Sequence, residues 1–443
     1  MNHSHPDSGA APPAPEIPFP LTIEAATLRK VTWHLLPFLL LLYIICWLDR
    51  VNVGFAALQM NQDLGFSASV YGFGAGVFFA GYALFEIPSN LILARVGARR
   101  WIARIMVTWG LISTCMMFVH DTATFYLLRF LLGVAEAGFL PGILYYLGDW
   151  YPGAQRAKAV GWFMAAIPLS IVVGGPVAGI LLDMDGLLGL RGWQWLYLLE
   201  GAPAFLLGFV VLAWLPDNPS QVHWLNDAER AWLDGRIRAE QREAQDRHGI
   251  GLGRAMLHPT VWKLALIMFT CQSGSYGLTL WMPQILKGLS GLSDLLVGMI
   301  SALPYIAAAI GMILIGASSD RTGERFYHIA VPSLVAVLGF TASAWLTTPI
   351  PAMIALTVAA VGDLGSRGPF WALPGRFLTG SAAAGAIALI NTVGSLGGFV
   401  GPYAVGVVKD ATGSFTGGLM FLAGLLLLGA VGTLRLRHSP ALQ

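Results

Sequence analysis

Apolar residues in this chain do not alternate, nor do they return every third or fourth position; they arrive in long blocks separated by short polar joints. The blocks fall at about 32–59, 68–94, 101–119, 123–148, 157–182, 194–215, 261–286, 294–317, 327–347, 350–373, 381–407 and 415–435. A helix that crosses a bilayer needs about 20 such residues, so the pattern predicts twelve transmembrane helices. The tenth block is interrupted by Gly362, Gly365, Gly368 and Pro369, which a spanning helix tolerates where neighbours re-satisfy the freed backbone groups. Soluble character returns once, at 216–260. There Asp227, Glu229, Arg230, Asp234, Arg236, Glu240, Arg242 and Glu243 alternate in sign around Leu225, Trp232, Leu233 and Ile237. This predicts an amphipathic helix with a solvated charged face, joining two halves of six spans.

Composition sharpens this picture. Hydrophobic residues make up 56% of the 443, charged residues 11%, and mean hydropathy is +0.66. A soluble domain carries about 25% charged residues, so there is too little polar surface here to face water. The sequence offers no phosphate-binding loop, metal-ligand cluster or nucleophile–base pattern, so no enzyme, metal or organic cofactor is expected. Cys46, Cys115 and Cys271 each lie inside an apolar block and read as packing residues.

Charge placement sets orientation. Arg29, Lys30, Arg95, Arg99, Arg100, Arg104, Arg156, Lys158, Arg321, Arg325, Arg376, Arg435 and Arg437 fall in alternate connections, and the central segment adds Arg230, Arg236, Arg238, Arg242, Arg247, Arg254 and Lys263. The opposite connections hold Arg191, Lys287 and Lys409 alone. Twenty against three puts both termini and the linker on the cytoplasmic side of the membrane. The expected plan is a disordered tail at 1–30, a six-helix bundle at 31–215, the linker at 216–260, a second bundle at 261–436 and a tail at 437–443. The first thirty residues lack the apolar core of a cleaved signal. Lipid is the expected surround, the chain is expected to be a monomer, and no nucleic-acid partner is implied.

Ionisable residues at membrane depth are costly, so each is a functional candidate. They are Asp49, Arg50, Glu86, Arg129, Glu136, Glu200, Asp363 and Arg367. Arg129 and Glu136 lie seven apart, on one helical face about 10 Å from each other. Arginine stays protonated and needs an anion, supplied by a carboxylate of the protein or of a substrate. A partly desolvated Glu136 takes a proton more readily, so the pair has the parts of a proton-coupled anion carrier. Asp49 and Arg50 offer the same chemistry on span one but, as neighbours, point about 100° apart. A structural salt-bridge network is the alternative for all four. Glu86, before Pro88, and Glu200, before Gly201 and Pro203, read as local structural groups. Asp363 and Arg367, one turn apart, are expected to pair, with Arg367 a further contact for a substrate bearing two acid groups. Tyr82, Gln272, Tyr276, Trp371 and Asn391 complete a candidate binding wall of polar and aromatic groups.

The halves also repeat a turn. Gly316-Ala-Ser-Ser-Asp320-Arg321-Thr-Gly323-Glu-Arg325 follows span eight, and Asn90-Leu-Ile-Leu-Ala94-Arg95-Val-Gly97-Ala-Arg99 follows span two. This G-x-x-x-D-R-x-G-x-R pattern, complete in the second copy, resembles the loop signature of the major facilitator superfamily. In it Gly316, Asp320, Arg321, Gly323 and Arg325 form a candidate conformational latch. The segments LLRFLLGVAEAGFLPGILYYLGDWYP (127–152), LDRVNVG (48–54), YALFEIPSN (82–90) and ALINTVGSLGGFVGPY (388–403) are similar to the anion:cation symporter family within that superfamily.

That resemblance implies an all-α membrane protein with the major facilitator fold, twelve helices in two six-helix bundles. It also implies proton-driven import of small organic anions (hydroxy-, aromatic or dicarboxylates such as tartrate or phthalate) by alternating access. It makes Arg50 and Arg129 substrate-anion residues and Asp49 and Glu136 protonation sites, with the proton as the coupling ion. Tyr82, Gln272 and Asn391 fall at substrate-binding positions. Arg367 stands where a small or aromatic residue is expected, which favours a substrate of greater negative charge or a distinct acid. Two other readings are carried forward. A proton-antiport exporter or anion exchanger draws on Gly174-Gly175-Pro176 and Gly179 in span five. A transporter-like nutrient sensor is disfavoured by the short linker.

Overall fold

The computed structural model describes residues 21–164, 166–246, 253, 256–378 and 380–439, and among them the regular structure is entirely helical. Backbone polar groups in a hydrocarbon layer must be satisfied within their own segment, which a helix alone achieves for a single span. The first half contains α1 (Leu21–Asp63), α2 (Ala68–Val96), α3 (Ala98–Cys115), α4 (Thr122–Glu136), α5 (Phe139–Gly148), α6 (Gly153–Met164), α7 (Ala166–Leu182) and α8 (Gly192–Trp214). The linker helix is α9 (Asp227–Asp246). The second half contains α10 (Pro259–Ser290), α11 (Asp294–Ser301), α12 (Leu303–Thr322), α13 (Phe326–Trp345), α14 (Pro349–Gly365), α15 (Arg367–Trp371), α16 (Gly380–Thr412) and α17 (Thr416–Leu436).

These helices make twelve crossings. Spans four, eight and ten are each built of two consecutive helices, α4 with α5, α11 with α12, and α14 with α15, while α6 and α7 are the described parts of span five on either side of residue 165. Eleven crossings are long and apolar enough to span a membrane by composition alone. The twelfth, α10, has 32 residues, about 48 Å at the helical rise. Its hydropathy is diluted by Thr270, Gln272, Ser273 and Ser275, polar groups that are buried or half-buried in the interior. The stretch 1–30 was expected to be a tail, but α1 begins at Leu21, and Glu24 accepts a hydrogen bond from Gln155 at 2.8 Å. Residues 1–20 and 440–443 of the expected tails lie outside the described residues.

Within each half the spans pack on one another, α3 along α8 and α2 along α4, α13 along α14 and α17. The halves meet through three seams: α2 against α16, α1 against α10, and α7 against α11 and α12. On the third seam a methyl placed on Gly175 would fall 2.3 Å from the Gly298 carbonyl oxygen, and the reverse holds equally, so backbone touches backbone there. Polar ties run along the seams. Asp410 accepts from the N–H groups of Ala68 (2.9 Å) and Ser69 (2.7 Å), Gln59 donates to Asp294 (2.8 Å), and Tyr71 donates to the Leu280 carbonyl (2.7 Å). Among the described residues, every hydrogen bond between the halves lies between the end remote from the termini and the level of Glu86. None joins the halves at the end that holds the termini and the basic turns. The halves are therefore closed at one end and unlatched at the other.

The linker helix docks on the first half. Trp232, Leu233 and Ile237 are buried, Glu229 meets Lys30 at 2.8 Å, and Glu240 accepts from the Gly153 N–H at 2.8 Å. Arg236 and Arg238 are exposed, as the charge pattern predicted, whereas Arg230 turns back to donate to the Val222 and Leu225 carbonyls at 3.0 and 2.9 Å.

Candidate functional site

The centre of the molecule is organised by Arg50. Its guanidinium pairs with Glu136 of α4 and donates to the hydroxyl of Tyr276, on α10 of the other half, at 3.4 Å. The rings of Trp47, Phe78 and Tyr82 surround it at 5.1, 5.5 and 5.3 Å, a cation–π environment that suits a desolvated guanidinium. Tyr276 stacks on Trp47, with centroids 6.3 Å apart and planes 7° off parallel. The Cys46 thiol donates to the same Glu136 oxygen at 3.2 Å. The other Glu136 oxygen, and Nε of Arg50, are buried and have no hydrogen-bond partner among the described residues. Breaking a buried pair by removing one partner leaves an uncompensated charge, so whatever separates Arg50 from Glu136 has to supply a replacement charge or a proton.

Local chain chemistry puts Glu136 there. It is the last residue of α4; Gly138 follows at φ +87° and α5 begins at Phe139. The sequence suggested one continuous span at 123–148, but Pro141 has no N–H to give the Ala137 carbonyl. Ser89 of α2 supplies the missing donor, its hydroxyl reaching that carbonyl at 2.6 Å while itself accepting from Trp101 Nε1 at 2.9 Å. A side chain at Gly138 would meet the Ser89 hydroxyl at 2.2 Å and would be strained at this φ. The break thus pins α4–α5 against α2 at the position of the carboxylate.

Asp49 points away from Arg50, as neighbouring positions require. It accepts from Trp109 Nε1 (2.7 Å), Ser113 Oγ (2.7 Å) and Asn52 Nδ2 (3.2 Å) and is 1% exposed. It is held by neutral donors, with no cation in contact among the described residues.

Arg129 is enclosed in this conformation, with Nη1 buried and without a hydrogen-bond partner among the described residues. It was expected to share a cavity with Glu136 and meet the substrate. It is instead fully buried, with Nε on the Gly74 carbonyl (3.2 Å), Nη2 on the Ala75 carbonyl (3.1 Å) and the guanidinium 5.0 Å from the Phe78 ring. The i, i+7 spacing gave the shared helix face correctly, but it could not say which element lies against each end of that face. Helix α2 seals Arg129, and α1 brings Arg50 to Glu136.

In the second half Asp363 and Arg367 pair as expected, at 3.4 Å. Ser275 donates to Asp363, and Arg367 donates to Ser275 Oγ (2.7 Å), the Cys271 carbonyl (2.9 Å) and Met268 Sδ (3.1 Å). Arg50 and Arg367 therefore contact adjoining residues of α10, Tyr276 and Ser275, one from each half. Tyr82 is buried, Gln272 is half-buried beside Gly394, and Trp371 is 37% exposed with its ring edge-on to Phe370.

Glu86 also departs from expectation. Instead of a local bond it makes a link between halves, accepting from Asn391 Nδ2 and Thr392 Oγ1, both at 2.8 Å. Asn391, a candidate for the binding wall, thus has its amide nitrogen engaged by Glu86. Sequence reading flagged Glu86 as an intramembrane charge yet had no signal for its partners, 305 and 306 residues away. Ser275, Trp109 and Ser113 gave no signal either.

The contacts of the candidate latch residues lie within the second half. Gly323 ends α12 in the left-handed conformation, Arg325 reaches Asp320 (2.6 Å) and Ser319 (2.9 Å), and Arg376 donates to the Gly323 carbonyl at 2.7 Å. Gly316 is half-buried on α12 and Arg321 is exposed. In the first-half copy Arg99 pairs instead with Asp217 at 3.2 Å.

A twelve-span helical protein in two six-helix halves, with paired charges where the halves meet, has the architecture of a membrane carrier. The chain belongs to the Major Facilitator Superfamily, whose model matches residues 39–402. It is 53% identical over 420 residues to an Agrobacterium vitis protein named "Putative tartrate transporter", covering 94% of this chain and 93% of that one. It is 44% identical over 414 residues to a "Quinolone resistance transporter" of Acinetobacter baumannii, covering 93% and 95%. Its fold matches a bacterial homologue of the human lysosomal transporter Spinster in an inward-facing, occupied conformation. The TM-score is 0.75 at 18% identity, over 91% of this chain and 96% of that one. The protein is thus a multi-pass transporter of small organic substrates and not an enzyme.

Proposed function

We propose that the protein is a proton-coupled symporter that imports small organic anions, dicarboxylates such as tartrate foremost, across a bacterial inner membrane by alternating access. The observation that carries this reading is the buried Arg50–Glu136 pair with Tyr276 of the opposite half on the same guanidinium. Arg50 is the cation an incoming carboxylate would seek, and Glu136 competes with that carboxylate for it. A proton on Glu136 frees Arg50 for the substrate; loss of the proton restores the pair and favours release. Asp49, held by neutral donors alone, is a second candidate proton carrier. Arg367, at the neighbouring residue of α10, suits a second acid group, and the name of the Agrobacterium vitis relative points to a diacid as well. By the positive-inside bias the unlatched end is cytoplasmic, so the conformation described would release its cargo inward.

The test is uptake in proteoliposomes. Glu136→Gln is expected to retain tartrate binding and exchange but lose accumulation driven by an acid-outside gradient, and Arg50→Ala to lose binding. Accumulation by Glu136→Gln equal to wild type would remove Glu136 from coupling. The relative named for quinolone resistance favours one competing reading, an exporter working by proton antiport. Net efflux of substrate against the same gradient would establish that reading instead.

A further inference from the structure

We propose that Glu86 is a positioning residue for substrate selection: it fixes the amide of Asn391 so that an oxygen, and not a nitrogen, is offered to the bound anion, and so favours acids that carry hydroxyl groups. The inference rests on the organic-acid reading above.

Glu86 lies on α2, one helical turn beyond Tyr82, whose ring flanks Arg50. Its side chain is enclosed, with 2% of the residue exposed, and both oxygens are occupied by the second half. Asn391 Nδ2 donates to one and Thr392 Oγ1 to the other, each at 2.8 Å. No cation lies within ion-pair distance of it among the described residues; the charged group nearest in influence is Arg50 on α1, and Tyr82 is the titratable neighbour on its own helix.

A carboxylate accepts and cannot donate. The same holds for the oxygen facing Asn391 if Glu86 carries a proton directed at Thr392. In both of these states, and in the arrangement observed, the amide of Asn391 turns its nitrogen to Glu86. Its Oδ1 takes no hydrogen bond from any described residue, and it is not among the buried polar atoms without a partner, so it is open. Asn391 itself is half-buried.

The consequence is chemical. Arg50 and Arg367 are donors only and would hold carboxylates. Asn391 is bound to Glu86, one turn from the Tyr82 ring that flanks Arg50. Gly394 on the same helix packs on Met268, which meets Arg367. An open carbonyl oxygen on this wall repels a carboxylate but accepts from a hydroxyl. A site that hydrogen-bonds a hydroxyl rejects the analogue lacking it, because its own polar group is then left without a partner. The favoured class is a short diacid with hydroxyls on its internal carbons, and the disfavoured one is the same diacid without them. Were the amide reversed, the nitrogen would serve carboxylates without regard to hydroxyls.

The test compares tartrate with succinate, the same four-carbon diacid without hydroxyls, by binding to purified protein and by uptake in proteoliposomes. Wild type is expected to prefer tartrate by about tenfold, the worth of one hydrogen bond. Glu86→Met, similar in length but unable to accept, should lose most of that preference through weaker tartrate binding while succinate binding stays within about twofold. Glu86→Gln can present either edge to Asn391 and should fall between the two; it serves if the methionine variant does not fold. Asn391→Ala should abolish the preference, and combining it with Glu86→Met should add nothing to that loss. Equal weakening of both acids in the Glu86 variants, or a preference that survives them, would overturn the assignment while leaving the organic-acid reading intact. Wild-type protein that binds neither acid would overturn that reading and this assignment with it.

Discussion

A single hydroxyl, that of Ser89, holds open the break on which Glu136 sits. It replaces the amide donor that Pro141 lacks, so the Ala137 carbonyl is not left bare in the interior. Leaving such a buried acceptor unmet costs about 1–3 kcal/mol. Ser89→Ala is therefore expected to lower unfolding stability in detergent by roughly that amount, and Ser89→Thr by less. Chemical denaturation of the purified variants measures it, and an unchanged midpoint for Ser89→Ala would mean the carbonyl has found another donor. The residue scale is also where sequence reading was most uneven. The intramembrane charges of Arg50, Glu136, Asp363 and Arg367 were visible because lipid makes any charge conspicuous. Which charge meets which was not visible across elements. Asp363 and Arg367 pair within one helical neighbourhood and could be foreseen, whereas Arg50–Glu136 and Glu86–Asn391 are separated by 86 and 305 residues.

At the scale of elements, the linker helix α9 is a part of the first half. Burial by itself would raise the titration point of Glu229. The hydrogen bond from Lys30 and that from the Asn226 N–H outweigh burial and hold the carboxyl below its ordinary 4.5. A group depressed on docking stabilises the docked form above its free value and loses that contribution as pH falls through its lower, docked value. The docking is thus expected to persist down to about pH 4.5 and to weaken below it. Glu229→Gln should be weaker at neutral pH and insensitive to acid. Distances between spin labels on α9 and α8, read at pH 7 and pH 3.5, check this; identical distributions at both values in wild type would count against it. The alternating charges around Trp232 and Ile237 announced an amphipathic helix, but nothing in them said which half would receive its apolar face. The same limit applied to span four, where the proline was legible and its rescuing serine was not.

At the scale of the whole molecule, twelve crossings and a two-half division were readable from block lengths and the returning turn. The hydrophobic requirement of the bilayer writes itself directly into composition. The closed end was not readable, since it depends on which glycines face one another. On the seam between α7 and α11 a side chain at Gly298 would collide with the Gly175 backbone. Gly298→Val is expected to prop the halves apart at the end remote from the termini and to cut uptake about tenfold or more, without removing substrate binding, because its collision is steric and lies away from the paired charges. Labelling of single cysteines placed near Ser67 and near Arg95 reports which end is open. Unchanged labelling at Ser67 would show that the seam yields elsewhere. The backbone contact at this seam carries a further consequence, for how such a chain can change over time. Closure there depends on the absence of side chains, while the selection of cargo proposed above depends on the side chains of α1, α2, α4, α10, α15 and α16. The two are written in separate alphabets, so a lineage can exchange one cargo for another by altering the second without rewriting the first.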